Sequence, residues 1–477
     1  MNYSKYQENI FNFIEKETGH AFVEAVAGSG KTTTIVEAAN RVPENSKTIF
    51  LAFNKHIATE LGSKLPMNCE ARTLHSLGLQ VLRESSIFPK RFRVKGNKTD
   101  NIFKYNILDG DEDLIKKHYS MLYDLKRVVS MLKNLLVIEP TTGDIIEICD
   151  KFDIDRDDDE FYDYTIETFN ESVSTYNTID FDDMLFLPLL LELNFPKYDH
   201  IFVDEAQDLN PVQMEIIRQL KGRVIAVGDT HQAIYGFRGA DPFAVATMIN
   251  IFKATKLPLS ICYRCGKNIV SKAKEIVPHI ETFDGQEDGE CLEIPYFQLT
   301  ETVKEKDYVL CRVTAPLVSL CLEFLKKGIP ATVRGRDIGE GLVIFIKRIK
   351  KEGDLEDFYE DLNEYAVKKI AQYKKRGRNS SIIELQDKVD TLFALGQNLE
   401  TVEQLIERVE KLFTDTENGI TLATIHRSKG LEADNIFILK PDLLPHPKAK
   451  LPWQKTQEMN LKYVAITRAK KRLYIVK

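Results

Sequence analysis

The sequence predicts an α/β fold built from two parallel-sheet domains, each interrupted by a charged helical insertion. Three observations predict it. Apolar runs of strand length alternate with helical patterns, as strand–helix–strand units require. One stretch leads into a glycine-rich turn, Ala25-Val26-Ala27-Gly28-Ser29-Gly30-Lys31-Thr32. Another, His200-Ile201-Phe202-Val203, delivers the carboxylates of Asp204 and Glu205 to its C-terminal end. Such a turn and such a strand end must meet around one phosphate-bound metal, so the chain between them is an insertion into one domain.

In chain order, residues 1–75 read as helix, strand, phosphate turn and helix, followed by a strand at Thr48-Ile49-Phe50-Leu51-Ala52-Phe53. Residues 76–179 turn helical and charged, with Met121-Leu122 and Val128-Val129 at helical spacing. Strand signals return within 180–256, at Ile201-Phe202-Val203 and Arg223-Val224-Ile225-Ala226-Val227, and close the first domain. The second domain is assigned to 257–340 and 416–477. Its strand candidates are Tyr308-Val309-Leu310-Cys311, Ile329-Pro330-Ala331-Thr332-Val333, Ile420-Thr421-Leu422-Ala423-Thr424, Ile436-Phe437-Ile438-Leu439 and Leu473-Tyr474-Ile475-Val476. A second, smaller helical insertion occupies 341–415. No internal repeat is evident, and no Pro- or Ser-rich linker separates the halves.

The 477 residues exceed what one core can organise, and roughly two to four domains are expected. With 43% hydrophobic and 29% charged residues the composition is that of a globular protein. No apolar run approaches the roughly 20 residues of a membrane span. Glu8 and Glu15 flank apolar positions near the start, unlike a signal peptide. Seven scattered cysteines suit a reducing, cytoplasmic compartment better than a disulfide framework. The lone C-x-x-C of Cys262 and Cys265 has no second pair at metal spacing and reads as two small, partly buried side chains. A net charge of −7 argues against coating nucleic acid by bulk electrostatics, though not against a local basic channel. Basic clusters at Lys90-Arg91-Phe92-Arg93, Lys347-Arg348, Lys350-Lys351 and Lys374-Lys375-Arg376-Gly377-Arg378 each read as solvated faces, as does the acidic run from Asp153 to Asp163.

The chemistry sits in the two signature segments. Glycines let consecutive backbone N–H groups curl around an anion, while Lys31 reaches the terminal phosphates and Thr32 offers its hydroxyl to Mg²⁺. Of the two carboxylates, Asp204 suits the metal and Glu205 suits a water to be oriented or deprotonated. Together they imply hydrolysis of a nucleoside triphosphate.

Further segments follow in order. They are Val227-Gly228-Asp229-Thr230-His231-Gln232-Ala233-Ile234-Tyr235-Gly236-Phe237-Arg238-Gly239-Ala240, then Tyr263-Arg264, then Thr424-Ile425-His426-Arg427-Ser428-Lys429-Gly430-Leu431-Glu432. Tyr463-Val464-Ala465-Ile466-Thr467-Arg468-Ala469 comes last. With the phosphate turn they resemble the UvrD/Rep-type superfamily 1 (SF1A) DNA helicases over nearly the whole chain. The resemblance implies two RecA-like P-loop NTPase domains, with ATP and Mg²⁺ as cofactors. It makes Gln7 a reader of the adenine edge, as amides can be, and Tyr263 a ring against the adenine face. Gln232 becomes the sensor of the γ-phosphate, Glu432 a ribose contact, and Arg264 and Arg468 the groups that neutralise the transferred phosphoryl. Because both arginines lie in the second domain's sequence, the site would be complete only on domain closure.

The resemblance also marks a DNA track. Phe53, Tyr235 and Phe237 are its stacking aromatics, and Asn54, Thr73, His75, Thr424 and His426 its phosphate or base contacts. Phe237 stands where relatives usually carry tryptophan, and Thr33 where they often carry arginine. The second insertion is much shorter than in the large members, and the chain stops soon after Arg468, so a full regulatory subdomain and a partner-binding tail are not expected. The implied activity is 3′→5′ translocation on single-stranded DNA with duplex unwinding, polarity coming wholly from the resemblance. The implied partners are single-stranded DNA, single/double-strand junctions and a loading or repair protein, with no membrane. Two alternatives stand beside it: a DNA or RNA translocase that strips proteins with little unwinding, and a non-hydrolysing DNA-binding regulator. Retention of Lys31, Glu205 and both arginines speaks against the last.

Overall fold

The structure, a computed structural model, describes residues 3–152, 154, 156, 158–234, 244–375, 379–414 and 419–477, without the side chains of Ser120 and Ser380. It divides into two compact units, Met1–Ala25 with Gly30–Ser260, and Val26–Ser29 with Ile261–Lys477.

Unit 1 is built on six parallel strands: β1 (Ala21–Ala25), β2 (Thr48–Leu51), β3 (Cys69–Arg72), β4 (His200–Val203), β5 (Arg223–Gly228) and β6 (Thr255–Leu259). Their order is β3-β2-β4-β5-β1-β6. Inner strands β2, β4 and β5 are near-continuous apolar runs because helices cover both faces of the sheet. On one face lie the helices Lys5–Lys16 and Lys31–Ala39, packed over Val23, Phe50, Phe202 and Ile225. Ser4 caps the first of them in a reciprocal box with Gln7, which fixes where the helix starts. The other face shares one core with the inserted helices: Leu51, Ile201 and Val224 of the sheet join Leu125, Val129 and Phe169 of the insertion.

The insertion's helices Glu112–Asn134, Thr142–Lys151 and Asp159–Ser174 begin at Asp111, Thr141 and Asp158, whose side-chain oxygens accept first-turn N–H groups. The stretch is not wholly helical. Arg93–Val94 pairs in parallel with Thr178–Ile179. Where its ends return to the sheet, Lys133 Nζ sits 2.7 Å from Asp183 and 3.1 Å from Asp180, and Lys98 Nζ sits 2.6 Å from Asp183. Both lysines are fully buried, and Lys98 also donates to the Ser172 and Thr175 carbonyls.

Unit 2 carries seven parallel strands: β7 (Glu290–Ile294), β8 (Tyr308–Cys311), β9 (Ala331–Arg334), β10 (Phe413–Thr414), β11 (Ile420–Thr424), β12 (Ala433–Leu439) and β13 (Ala469–Val476). Their order is β10-β9-β11-β8-β12-β13-β7. Helices Arg336–Ile349, Leu355–Lys375, Asn379–Leu395 and Val402–Leu412 follow β9, and their apolar faces join a core with Val309, Val333 and Leu422. Both units therefore have the α/β, parallel-sheet architecture that the sequence predicts. Edge strands β3, β6 and β7 lie outside the strand candidates, and β6 runs to Leu259, beyond the 256 limit assigned to the first domain.

Candidate functional site

Strand β1 ends at Ala25 and the chain reverses through Gly28 (φ 67°) and Gly30 (φ 75°), both left-handed. Gly30 then opens the helix Lys31–Ala39, so the first N–H groups of that helix face the turn. Within unit 2, a Cβ on Gly28 would stand 2.5 Å from the Arg264 Cβ, which leaves room for glycine alone. The Tyr263 N–H donates to the Gly28 carbonyl and the Ala27 N–H donates to the Tyr463 hydroxyl, each at 2.8 Å. Ser29 is fully buried and its hydroxyl finds no partner.

In unit 1, β4 carries Asp204 and Glu205 out of the sheet beside the helix that begins at Lys31. The Lys31 ammonium lies 3.0 Å from Glu205, and the Thr32 hydroxyl donates to Asp204 at 3.4 Å. Glu205 holds a left-handed backbone (φ 50°, ψ 41°), an uncommon conformation for a side chain of its kind. Gln207 donates to Glu205 at 2.5 Å and accepts from the Asp229 N–H at 3.0 Å, and Gln232 donates to Asp229 at 2.6 Å. A continuous hydrogen-bonded chain thus links Lys31 to Gln232. Asp229 and Gln207 were not among the expected site residues. The available signal was positional, since Asp229 follows buried β5 as Asp204 follows β4.

Three carboxylates around one ammonium set the electrostatics. Burial alone would lower Lys31, yet Glu205, Asp229 and Asp204 outweigh it and hold the ammonium above its ordinary range. Asp204 is pushed up to about 6, first by burial and then by the Glu205 charge, with Lys31 opposing. Burial likewise raises Asp229. The pocket carries more negative charge than it can neutralise, and Asp204 with Thr32 presents hard oxygen donors, a set that fits Mg²⁺. The unpartnered Ser29 hydroxyl and the two left-handed glycines fit phosphate oxygens.

Gln7 is buried; its amide oxygen accepts the Ser4 N–H and its NH₂ donates to Thr34, each at 3.0 Å. Tyr263 is 42% exposed, its ring centre 5.4 Å from that of Phe283. In unit 2, Arg264 lies 2.6 Å from Glu432, which also pairs with Lys470 at 2.7 Å. Burial opposes ionisation of Glu432, but Lys470 and the arginines hold its carboxyl below the usual range. Arg468 is buried, donates to the Val464 and Leu431 carbonyls, and is pushed down to about 10 by burial and then by Arg264. Two guanidiniums thus share one pocket with a single carboxylate between two cations. Cys262 and Cys265 are fully buried, not partly so: Cys262 packs against Gly28, and the Cys265 thiol donates to the Thr467 carbonyl. The Cys265 thiol's hydrogen bond brings Cys262 down to about 7.

The expected DNA residues divide by unit. Phe53 is 56% exposed beyond β2, and Asn54 caps the next helix through Ile57. Thr73 follows the adjacent β3 and caps the helix Leu74–Glu84. His75 is lowered by burial. The Ala52 N–H bonds to the Arg72 carbonyl, which puts Phe53, Asn54 and Thr73 at one end of the sheet. In unit 2, Thr424 is buried at the end of β11 and His426 is half-buried in the following turn. Tyr235 and Phe237 lie outside the described residues.

Residues 6–253 match the model of the UvrD/REP helicase N-terminal domain, and residues 295–477 that of the UvrD-like helicase C-terminal domain. The chain belongs to the UvrD/Rep helicase family. Among curated members it is 26% identical to F-box DNA helicase protein 1 of Schizosaccharomyces pombe, over 95% of this chain and 55% of that protein. It is 25% identical to F-box DNA helicase 1 of Gallus gallus, over 98% of this chain and 48% of the relative. The ATP-dependent DNA helicase PcrA of Staphylococcus epidermidis is 23% identical over 97% of this chain and 82% of its own length. The chain spans about half the length of the two F-box family members. Among the described residues, no helix is long and apolar enough to cross a membrane.

Proposed function

We propose that this family member is an ATP- and Mg²⁺-dependent translocase that moves 3′→5′ on single-stranded DNA and unwinds duplex. The observation that carries the proposal is the pairing of Lys31 with Glu205 beside Thr32 and Asp204, at the ends of β1 and β4. Lys31 holds the terminal phosphates of ATP, and its present partner Glu205 is released to take the proton of the attacking water. Thr32 and Asp204 hold the metal, which when bound neutralises charge between the phosphates. Gln232, tied through Asp229 and Gln207 to Glu205, reports the γ-phosphate. Arg264, packed against Gly28, and Arg468 beside it neutralise the leaving charge. Gln7, Tyr263 and Glu432 serve the nucleoside.

Phe53, Tyr235 and Phe237 stack bases, and Asn54, Thr73, His75, Thr424 and His426 hold the backbone without sequence preference. In this proposal 1–75 with 180–256, extended through β6 to Leu259, form one motor domain and the remainder of 257–340 with 416–477 the other, with 76–179 and 341–415 inserted. Its partners are single-strand/duplex junctions and a loading or repair protein. The test is strand displacement on 3′-tailed, 5′-tailed and RNA-containing duplexes, with ATP consumption followed in parallel. Displacement of 3′-tailed DNA supports the proposal. ATP consumption indifferent to added oligonucleotide overturns it.

A further inference from the structure

The chain's only tryptophan lies outside every segment discussed so far. Trp453 stands in the first turn of the helix Pro452–Ile466 and is 48% exposed, beside equally exposed Leu451. A large flat ring left in water at a helix start calls for an explanation.

The segment that presents it is firmly built. Glu458, buried on the same helix, receives Arg312 in a two-pronged ion pair at 2.7–3.0 Å and also accepts the His446 N–H at 3.0 Å. The buried Gln454 side chain accepts the N–H groups of Lys450 and Leu451. The loop is therefore pinned at both ends of the exposed stretch, and the ring is offered from a rigid base.

Charge decides what it is offered to. Between 440 and 455 the chain carries Lys440, Lys448, Lys450 and Lys455 against the single acid Asp442. Among the described residues none of these four lysines makes an ion pair, whereas Lys267, Lys272, Lys327, Lys470 and Lys471 of the same unit each sit beside an acid. In a chain of net charge −7 this is a local reversal of sign. One aromatic face flanked by uncompensated cations is the chemistry that holds a single strand, with a base on the ring and phosphates on the ammonium groups. A protein partner of ordinary kind would call for a broader apolar surface than Leu451, Trp453 and two neighbouring prolines supply.

We propose that Trp453, with Lys448, Lys450 and Lys455, is an additional single-strand nucleic-acid contact in which one base stacks on the indole. The proposal rests on the nucleic-acid reading given above and extends it to a segment of the chain, 448–455, that contains none of the expected track residues. Because Trp453 is the sole tryptophan, its emission reports the contact directly.

The experiment titrates the full chain with oligothymidylate, following tryptophan emission and, separately, the anisotropy of a labelled oligonucleotide. Emission should be quenched saturably with the same midpoint as the anisotropy. Trp453→Ala should weaken binding about tenfold and Trp453→Phe should recover most of it. Replacing Lys448, Lys450 and Lys455 together by glutamine should make the logarithmic salt slope shallower by about 2. Melting curves of each variant exclude misfolding as the cause. Oligonucleotide binding with unchanged emission and an unaffected Trp453→Ala variant overturns this site while leaving nucleic-acid binding intact. No oligonucleotide binding at all overturns both. Emission that shifts to shorter wavelength with protein concentration alone overturns it too and gives the patch to a second copy of the chain.

Discussion

The Lys31 ammonium and the Glu205 carboxylate lie 3.0 Å apart as an ion pair. In the proposed mechanism the group that takes a proton from water is thereby held beside the ammonium until phosphate claims the lysine. Glu205→Gln is expected to bind ATP with near-normal affinity and to lose roughly 10²–10⁴ in turnover. Nucleotide binding followed by a fluorescent analogue, beside steady-state ATPase, separates the two effects. Turnover within tenfold of the parent would remove Glu205 from its assigned role.

Lys31→Ala removes the ammonium that faces Glu205, Asp204 and Asp229 together. Turnover should vanish while oligonucleotide binding, measured by anisotropy, stays nearly unchanged. The three carboxylates then repel one another without relief, so the melting temperature should drop at neutral pH and recover part of the loss on acidification.

Asp204 titrates near 6 in the folded chain, above its ordinary value, so the native state holds an extra proton in that window. Its contribution to stability is fully present below the unfolded carboxylate value and is lost as pH rises toward 6. Asp204→Asn is therefore expected to stabilise the protein at neutral pH by about 2–3 kcal/mol while abolishing ATPase. Metal competes with that proton. Raising Mg²⁺ should move the acid limb of the ATPase profile to lower pH, and chelation should stop turnover.

Arg264→Ala should reduce turnover by about 10³ or more. Arg264 is partly buried and its partner Glu432 is partly exposed and also held by Lys470, so stability should shift by about 1 kcal/mol. Arg468→Ala should damage both, since its loss leaves a cavity and two carbonyls unsatisfied. A variant of Arg264 with normal turnover and reduced melting temperature would reverse the assignment from chemistry to structure.

Lys133→Met leaves Asp180 and Asp183 with one cation instead of two in a dry interior. The loss should be about 3–5 kcal/mol in the unfolding transition of unit 1, followed by urea denaturation. Adding Asp180→Asn should return part of it.

Much of the frame was legible because inner strands of a covered parallel sheet are unbroken apolar runs, as at Ile201-Phe202-Val203 and Tyr308-Val309-Leu310-Cys311. Edge strands carry no such mark. Thr255-Lys256-Leu257-Pro258-Leu259 contains a proline and a lysine, and Glu290-Cys291-Leu292-Glu293-Ile294 is almost wholly exposed. The meeting of Lys31, Thr32, Asp204 and Glu205 could be foreseen from two motifs. The parts played by Asp229, Gln207 and Tyr463 could not, because their partners are set by register and by side-chain reach. Nor does a charged helical stretch announce that Lys98 and Lys133 will be entombed. That follows only when Asp180 and Asp183 are folded back onto them.

The common core beneath the first sheet has a mechanical consequence. Leu125, Val129 and Phe169 belong to the same apolar core as Leu51, Ile201 and Val224 of the sheet, and the helices Asp183–Leu190 and Pro211–Gln219 pack against the inserted helix Glu112–Asn134. The inserted helices are thus a stiff outrigger, not a dangling module. Moving them would disturb the apolar layer that the sheet itself rests on, so they cannot be exchanged for another insertion without recutting that layer.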